Sequence, residues 1–195
     1  MTLLDDAMVK RTNRRNAGAM CLVVPQLVTD INARLLLALG GGANITQNTY
    51  VVGYWATTQE WYGVGIPVAN RPTVIAQLQT LPGGEGATAG NIDWLGRPPL
   101  LHAEMTVVQH VINTHGVGKN HLQPLTICCS GKPCCADCCG WMTRYAIAHG
   151  YNCTDKGSSQ GWTHPITGAG FRGEKLSDFT YSKGNRSASW LYPDG

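Results

Sequence analysis

His102-Ala103-Glu104 places an imidazole and a carboxylate two residues apart, and Cys135-Ala136-Asp137-Cys138 is the chain's only pair of cysteines separated by two residues. Zinc takes tetrahedral nitrogen and sulfur ligands, and a catalytic site draws three of them from the protein and leaves the fourth position to water. His102, Cys135 and Cys138 make three. Two cysteines three positions apart across a helix start can reach one ion, where the helix dipole and the free backbone N–H groups favour thiolates. Glu104 then sits beside the metal without having to bind it, placed to move a proton. The competing use of these residues is a structural site built from four of Cys128, Cys129, Cys134, Cys135, Cys138 and Cys139, which has no need of His102 or Glu104.

The elements that hold these residues are legible from periodicity. Ile31, Leu35, Leu36 and Leu39 recur at helical spacing from Val28, with Thr29 or Asp30 to cap the start and Gly40 to Gly42 to stop it. Thr49–Trp55 and Glu60–Val68 are rich in β-branched and aromatic residues and read as a hairpin. Pro82–Pro99 reads as a long Gly- and Pro-rich surface loop. Val107, Val108, Val111 and Ile112 predict a helix over Met105–Asn113, with the His-Ala-Glu triplet in its first turn. Leu125–Cys129 reads as a short buried strand, broken by Pro133, and Cys135–His149 as a second helix. A further strand is expected near Asp178–Ser182.

On Leu101-His102-Ala103-Glu104-Met105 and Cys138-Cys139-Gly140-Trp141-Met142, the chain resembles the cytidine deaminase superfamily, including the tRNA adenosine deaminases, over roughly Val28 to Gly150. The resemblance implies an α/β fold, a three-layer α/β/α sandwich around a mixed five-stranded sheet. It also implies zinc as cofactor, with His102, Cys135 and Cys138 as ligands and Glu104 as the catalytic proton carrier. The family pattern sets proline directly before the first ligand cysteine, and here Pro133 precedes Cys134, which makes Cys134 the rival of Cys135 as first ligand; Cys135 is preferred because only it keeps the spacing to Cys138 and the same helical face. By the same resemblance the backbone N–H of Ala103 holds a ring carbonyl. Asn70 is then the asparagine that contacts the sugar, with Asn91 as its rival and loop capping as its ordinary alternative.

The chain has 195 residues, 43% hydrophobic and 14% charged, with a net charge of +3. That length fits one domain, expected at 28–195 behind an N-terminal extension at 1–27. Lys10, Arg11, Arg14 and Arg15 in the extension read either as a basic arm or as a solvated end. The charge permits a polyanionic partner without the footprint of a dedicated nucleic-acid binder. Six of the eight cysteines fall between Cys128 and Cys139, a crowding that favours metal over a disulfide framework. Cys128 and Cys129 are expected as buried strand residues, and Cys21 and Cys153 as small apolar ones. With no apolar run of about 18 residues and no signal-peptide core, a soluble cytoplasmic protein without membrane contact is expected.

Three functions fit these features. The first is deamination of cytosine in a single-stranded DNA or RNA, as in the toxin-like and antiviral branches of the superfamily, with adenine in RNA as a variant. The second is deamination of a free nucleoside or nucleotide, and the third a zinc module without turnover. The polymer reading draws on the early basic cluster and on Trp55, Trp61, Trp94 and Trp162 as stacking surfaces. Trp55 and Trp61 flank a hairpin turn and read as packing residues, which leaves Trp94, in the loop before His102, as the substrate-binding candidate.

Overall fold

A computed structural model describes residues 26–40, 48–82, 84–99 and 101–153. The strand expected near Asp178–Ser182, the basic cluster, Cys21 and Trp162 lie outside the described residues. Within them, helix α1 (Gln26–Leu39) buries Val28, Ile31, Leu35 and Ala38 along one stripe, the spacing that an amphipathic helix needs to cover a sheet. Strands β1 (Thr49–Trp55) and β2 (Glu60–Val64) form the expected hairpin, with Trp55 opposite Glu60. The second strand ends sooner than its composition predicts. Gly65 turns the chain at φ +76°, a conformation that a residue with a side chain adopts only under strain, and Ile66 to Val68 leave the sheet.

Helix α2 (Arg71–Leu78) follows, with a proline in its first turn and Val74 and Leu78 buried. Its stripe is too short to stand out in the sequence. The expected loop at Pro82–Pro99 contains a four-residue strand, β3 (Ile92–Leu95), paired parallel to β2 from Trp61↔Ile92 to Val64↔Leu95. Four residues carry little periodic signal, and it is the open edge of β2 that makes them a strand. Helix α3 (Ala103–His115) covers and slightly extends the expected helix.

The expected strand at Leu125–Cys129 is longer, running through Pro133 to Cys134 as β4 (Leu125–Cys134). Pro133 does not end it, because the pairing with β5 shifts register between Cys129 and Cys134 and a proline is tolerated at such an irregularity. The helix predicted over Cys135–His149 is α4 (Ala136–Arg144) only. Ala146 stands at φ +56°, outside helical space, and the remainder becomes β5 (Ala148–Cys153).

The strand order is β3-β2-β1-β4-β5, with β1 antiparallel to both neighbours and the two outer pairs parallel. This is an α/β fold around a mixed five-stranded sheet. Successive residues of β1 alternate between two cores. Tyr50 and Val52 pack with Val28, Ile31, Leu35, Val74 and Leu78 of α1 and α2. Val51 and Trp55 pack with Met105, Val107, Val108 and Val111 of α3 and Cys138, Trp141 and Met142 of α4. No helix among the described residues is long and apolar enough to cross a membrane.

Candidate metal centre

His102 caps the start of α3 in an extended conformation, φ −72° and ψ 154°. Its carbonyl oxygen accepts both the N–H and the Oγ1 hydroxyl of Thr106, at 2.8 and 3.0 Å, which fixes the first turn and with it the direction of the imidazole. Cys135 stands directly before α4, and its Sγ accepts the N–H of Cys138 at 3.4 Å, in the place a serine or aspartate oxygen takes at an ordinary N-cap. Two helix N-termini therefore meet, each presenting N–H groups without intrahelical acceptors and the positive end of its dipole.

At that meeting point His102 Nδ1 lies 3.3 Å from Cys135 Sγ and 3.3 Å from Cys138 Sγ. Tetrahedral zinc, with bonds of about 2.0–2.1 Å to nitrogen and 2.3 Å to sulfur, sets its N and S ligands about 3.6 Å apart. The three side chains are thus spaced to hold one ion with little movement. Their chemistry agrees with this. Burial pushes the Cys138 thiol well above its ordinary range, and hydrogen bonding with Cys138 pushes up that of Cys135, so thiolates here require a cation beside them. The hydrogen bond with Cys135 in turn raises the His102 imidazole above its usual value.

Glu104, the next residue but one, is buried at 3% exposure. Its carboxylate and the sulfurs of Cys134 and Cys138 lie within 4.8 Å of one another, as do the ligand atoms of His102, Cys135 and Cys138. Cys138 belongs to both groups. Cys134 belongs only to the one that contains Glu104, so the structure sets Cys135 beside His102 and Cys134 on the Glu104 side. Ala103 is buried in the first turn beside His102.

The other two sequence candidates are placed elsewhere. Asn70 donates from Nδ2 to the carbonyl oxygen of Ala38 at 3.3 Å, at the last turn of α1. Trp94 packs with the α1/α2 core; its ring lies over Gly63 and under the Arg71 guanidinium, 4.9 Å from the ring centroid. The metal-centre residues Ala103 and Cys138 belong to the opposite core. Arg97 is exposed and close enough to His102 to oppose its protonation. Cys128 and Cys129 are buried in β4 as expected. Cys139 departs from the expectation of a cluster without disulfides, because it is disulfide-bonded, whereas Cys128, Cys129, Cys134, Cys135 and Cys138 form no disulfide. One residue beyond Cys138 lies about 100° further round the helix, which directs Cys139 away from the ligand face.

A second polar cluster, at the far end of α3, had no signal in the sequence. Glu60 accepts from the hydroxyls of Thr58 and Tyr62 and lies 2.8 Å from His115 Nε2, while Tyr62 Oη is 3.1 Å from the same nitrogen. Trp55 stacks on the His115 ring at 5.5 Å. The Thr58 hydroxyl, then Tyr62 and His115, hold the Glu60 carboxyl below its ordinary value against the opposing effect of burial. These partners come from three elements, and only the fold brings them together.

Comparisons with protein-family models, with characterised proteins and with solved structures give no significant match to this chain.

Proposed function

We propose that the chain is a zinc-dependent hydrolytic deaminase with the three-layer architecture of the cytidine deaminase superfamily, acting on cytosine in a nucleic-acid strand. The observation that carries this reading is the 3.3 Å convergence of His102 Nδ1 on Cys135 and Cys138, with the buried Glu104 one residue into the same helix turn. A structural zinc site has no use for a carboxylate in that place. Helices on both sides of the mixed sheet support the architecture.

His102, Cys135 and Cys138 would hold the zinc. Bound there, the metal supplies Lewis acidity that brings the pKa of a water toward neutrality. Glu104 takes a proton from the attacking water as its oxygen bonds to the amine-bearing ring carbon. It then returns the proton to the amine nitrogen, the C–N bond breaks, and ammonia leaves. Burial of Glu104 keeps bulk water from competing for that proton. The N–H of Ala103, at the open end of α3, is available to a ring carbonyl.

The polymer substrate is supported by Arg97, an exposed cation close enough to His102 to oppose its protonation, which suits a phosphate of the strand. Asn70 and Trp94, committed to Ala38 and to the α1/α2 core, add nothing to it in these positions. The test is deamination of single-stranded DNA, duplex DNA, RNA and free cytidine at low and moderate salt. Turnover of a single strand that falls steeply with salt is expected, since each phosphate contact releases counterions. Salt-insensitive turnover of cytidine, with the strands untouched, would replace the polymer by the nucleoside.

A further inference from the structure

We propose that Glu104, Cys134 and Cys138 form a second position for a thiophilic divalent ion, bridged to the first through the Cys138 sulfur, and that filling it stops turnover. The inhibition, though not the binding, rests on the reading of Glu104 as the proton carrier.

All three residues are buried, Glu104 at 3%, Cys134 at 1% and Cys138 at 0% exposure, and their ligand atoms lie within 4.8 Å of one another. A carboxylate and two sulfurs in one dry cluster is an unfavourable arrangement unless protons or a cation neutralise it. Soft sulfur ligands select zinc, cadmium and similar ions over magnesium or calcium. The charges also close. One divalent ion against the Cys135 and Cys138 thiolates leaves the Glu104 carboxylate uncompensated at −1. Two ions, at +4, against the thiolates of Cys134, Cys135 and Cys138 and the carboxylate of Glu104, at −4, are neutral. The backbone favours such a pair, because Cys134 is the last residue of β4 and Cys135 the residue before α4, so adjacent cysteines serve the two sets.

An ion in this second position takes the Glu104 carboxylate as a ligand and withdraws it from proton transfer. The chain would then deaminate with one ion and stop with two, a response to excess zinc.

The experiment loads the full chain with one equivalent of zinc, dialyses it against increasing free zinc, and counts zinc per chain while following deamination. Wild type is expected to reach two per chain, with turnover falling roughly 10²- to 10⁴-fold, the usual cost of losing a general acid/base. Cys134→Ala is expected to hold at one and keep its turnover in excess zinc. Glu104→Gln also holds at one, a check that does not depend on how well the Cys134 variant folds. Saturation of wild type at one, a second equivalent retained by both variants, or loss of the first equivalent in Cys134→Ala would overturn the proposal. Intact zinc counts without any deamination would instead refute the proposed function and leave the second position standing.

Discussion

Gly53 lies at the centre of β1, under α3, and a methyl group placed there would stand 2.6 Å from Val107 Cγ1. Carbon atoms in contact prefer about 3.5–4.0 Å, so Gly53→Ala obliges α3 to withdraw by roughly 1 Å or Val107 to leave its position. Overpacking of this kind costs about 1–3 kcal/mol. Alanine recovers roughly 0.5–1 kcal/mol of the backbone entropy that glycine loses in a strand. A net destabilisation of about 1–2 kcal/mol is expected. Val107→Ala removes the obstructing methyls and by itself costs about 2 kcal/mol, from two buried methyls at about 0.8 each plus a small cavity. If the clash is the cause, the double variant is more stable than the sum of the single effects predicts by at least about 1 kcal/mol. Urea unfolding of the four proteins measures it, read as midpoints at constant m. A Gly53→Ala protein as stable as wild type, or a cycle that adds without coupling, would refute the close approach of α3 to β1 that positions His102 and Glu104.

Cys135→Ser is expected to lose the zinc that remains at one equivalent, while Cys134→Ser keeps it; metal analysis of the dialysed proteins decides, and the reverse pattern would exchange the two ligands. Glu60 has a folded pKa below its unfolded value, so its contribution to stability is present above the unfolded carboxylate range and is lost as pH falls through the folded pKa. Glu60→Gln should therefore destabilise at neutral pH, by less than about 1 kcal/mol because the pair with His115 is partly exposed. The difference should shrink in acid, as read from thermal unfolding at several pH values. Trp94→Ala should lower stability through its lost packing on Gly63 and Arg71 and leave the KM for an oligonucleotide within about threefold. A large rise in KM with unchanged stability would return Trp94 to the substrate.

What could be read in the sequence is what local spacing encodes. The His102–Glu104 and Cys135–Cys138 intervals fix where donors emerge at a helix start, and their 3.3 Å convergence follows once α3 and α4 pack on one side of the sheet. The hairpin and α1 were legible because their apolar residues repeat over several turns or pleats. β3 was not, since four residues in a Gly-rich stretch become a strand only through the edge of β2. The overlong reading of α4 has a similar cause: Tyr145 and Ile147 suit a helix and a strand alike, and a positive φ at Ala146 decides between them. Nearness to His102 along the chain makes Trp94 a substrate candidate, but its ring packs on the α1/α2 core. Alternation along β3 sets its side chain on the opposite sheet face from α3, which nearness along the chain does not reveal.

The claim that Glu104 carries protons at a zinc held by its neighbours is tested most directly by zinc content and cytosine deamination of Glu104→Ala beside wild type, both at one equivalent of zinc. Retained zinc with turnover reduced roughly 10²- to 10⁴-fold is the expected result. A variant that keeps its zinc and deaminates within about tenfold of wild type would contradict the account, because loss of general acid/base catalysis costs more than that.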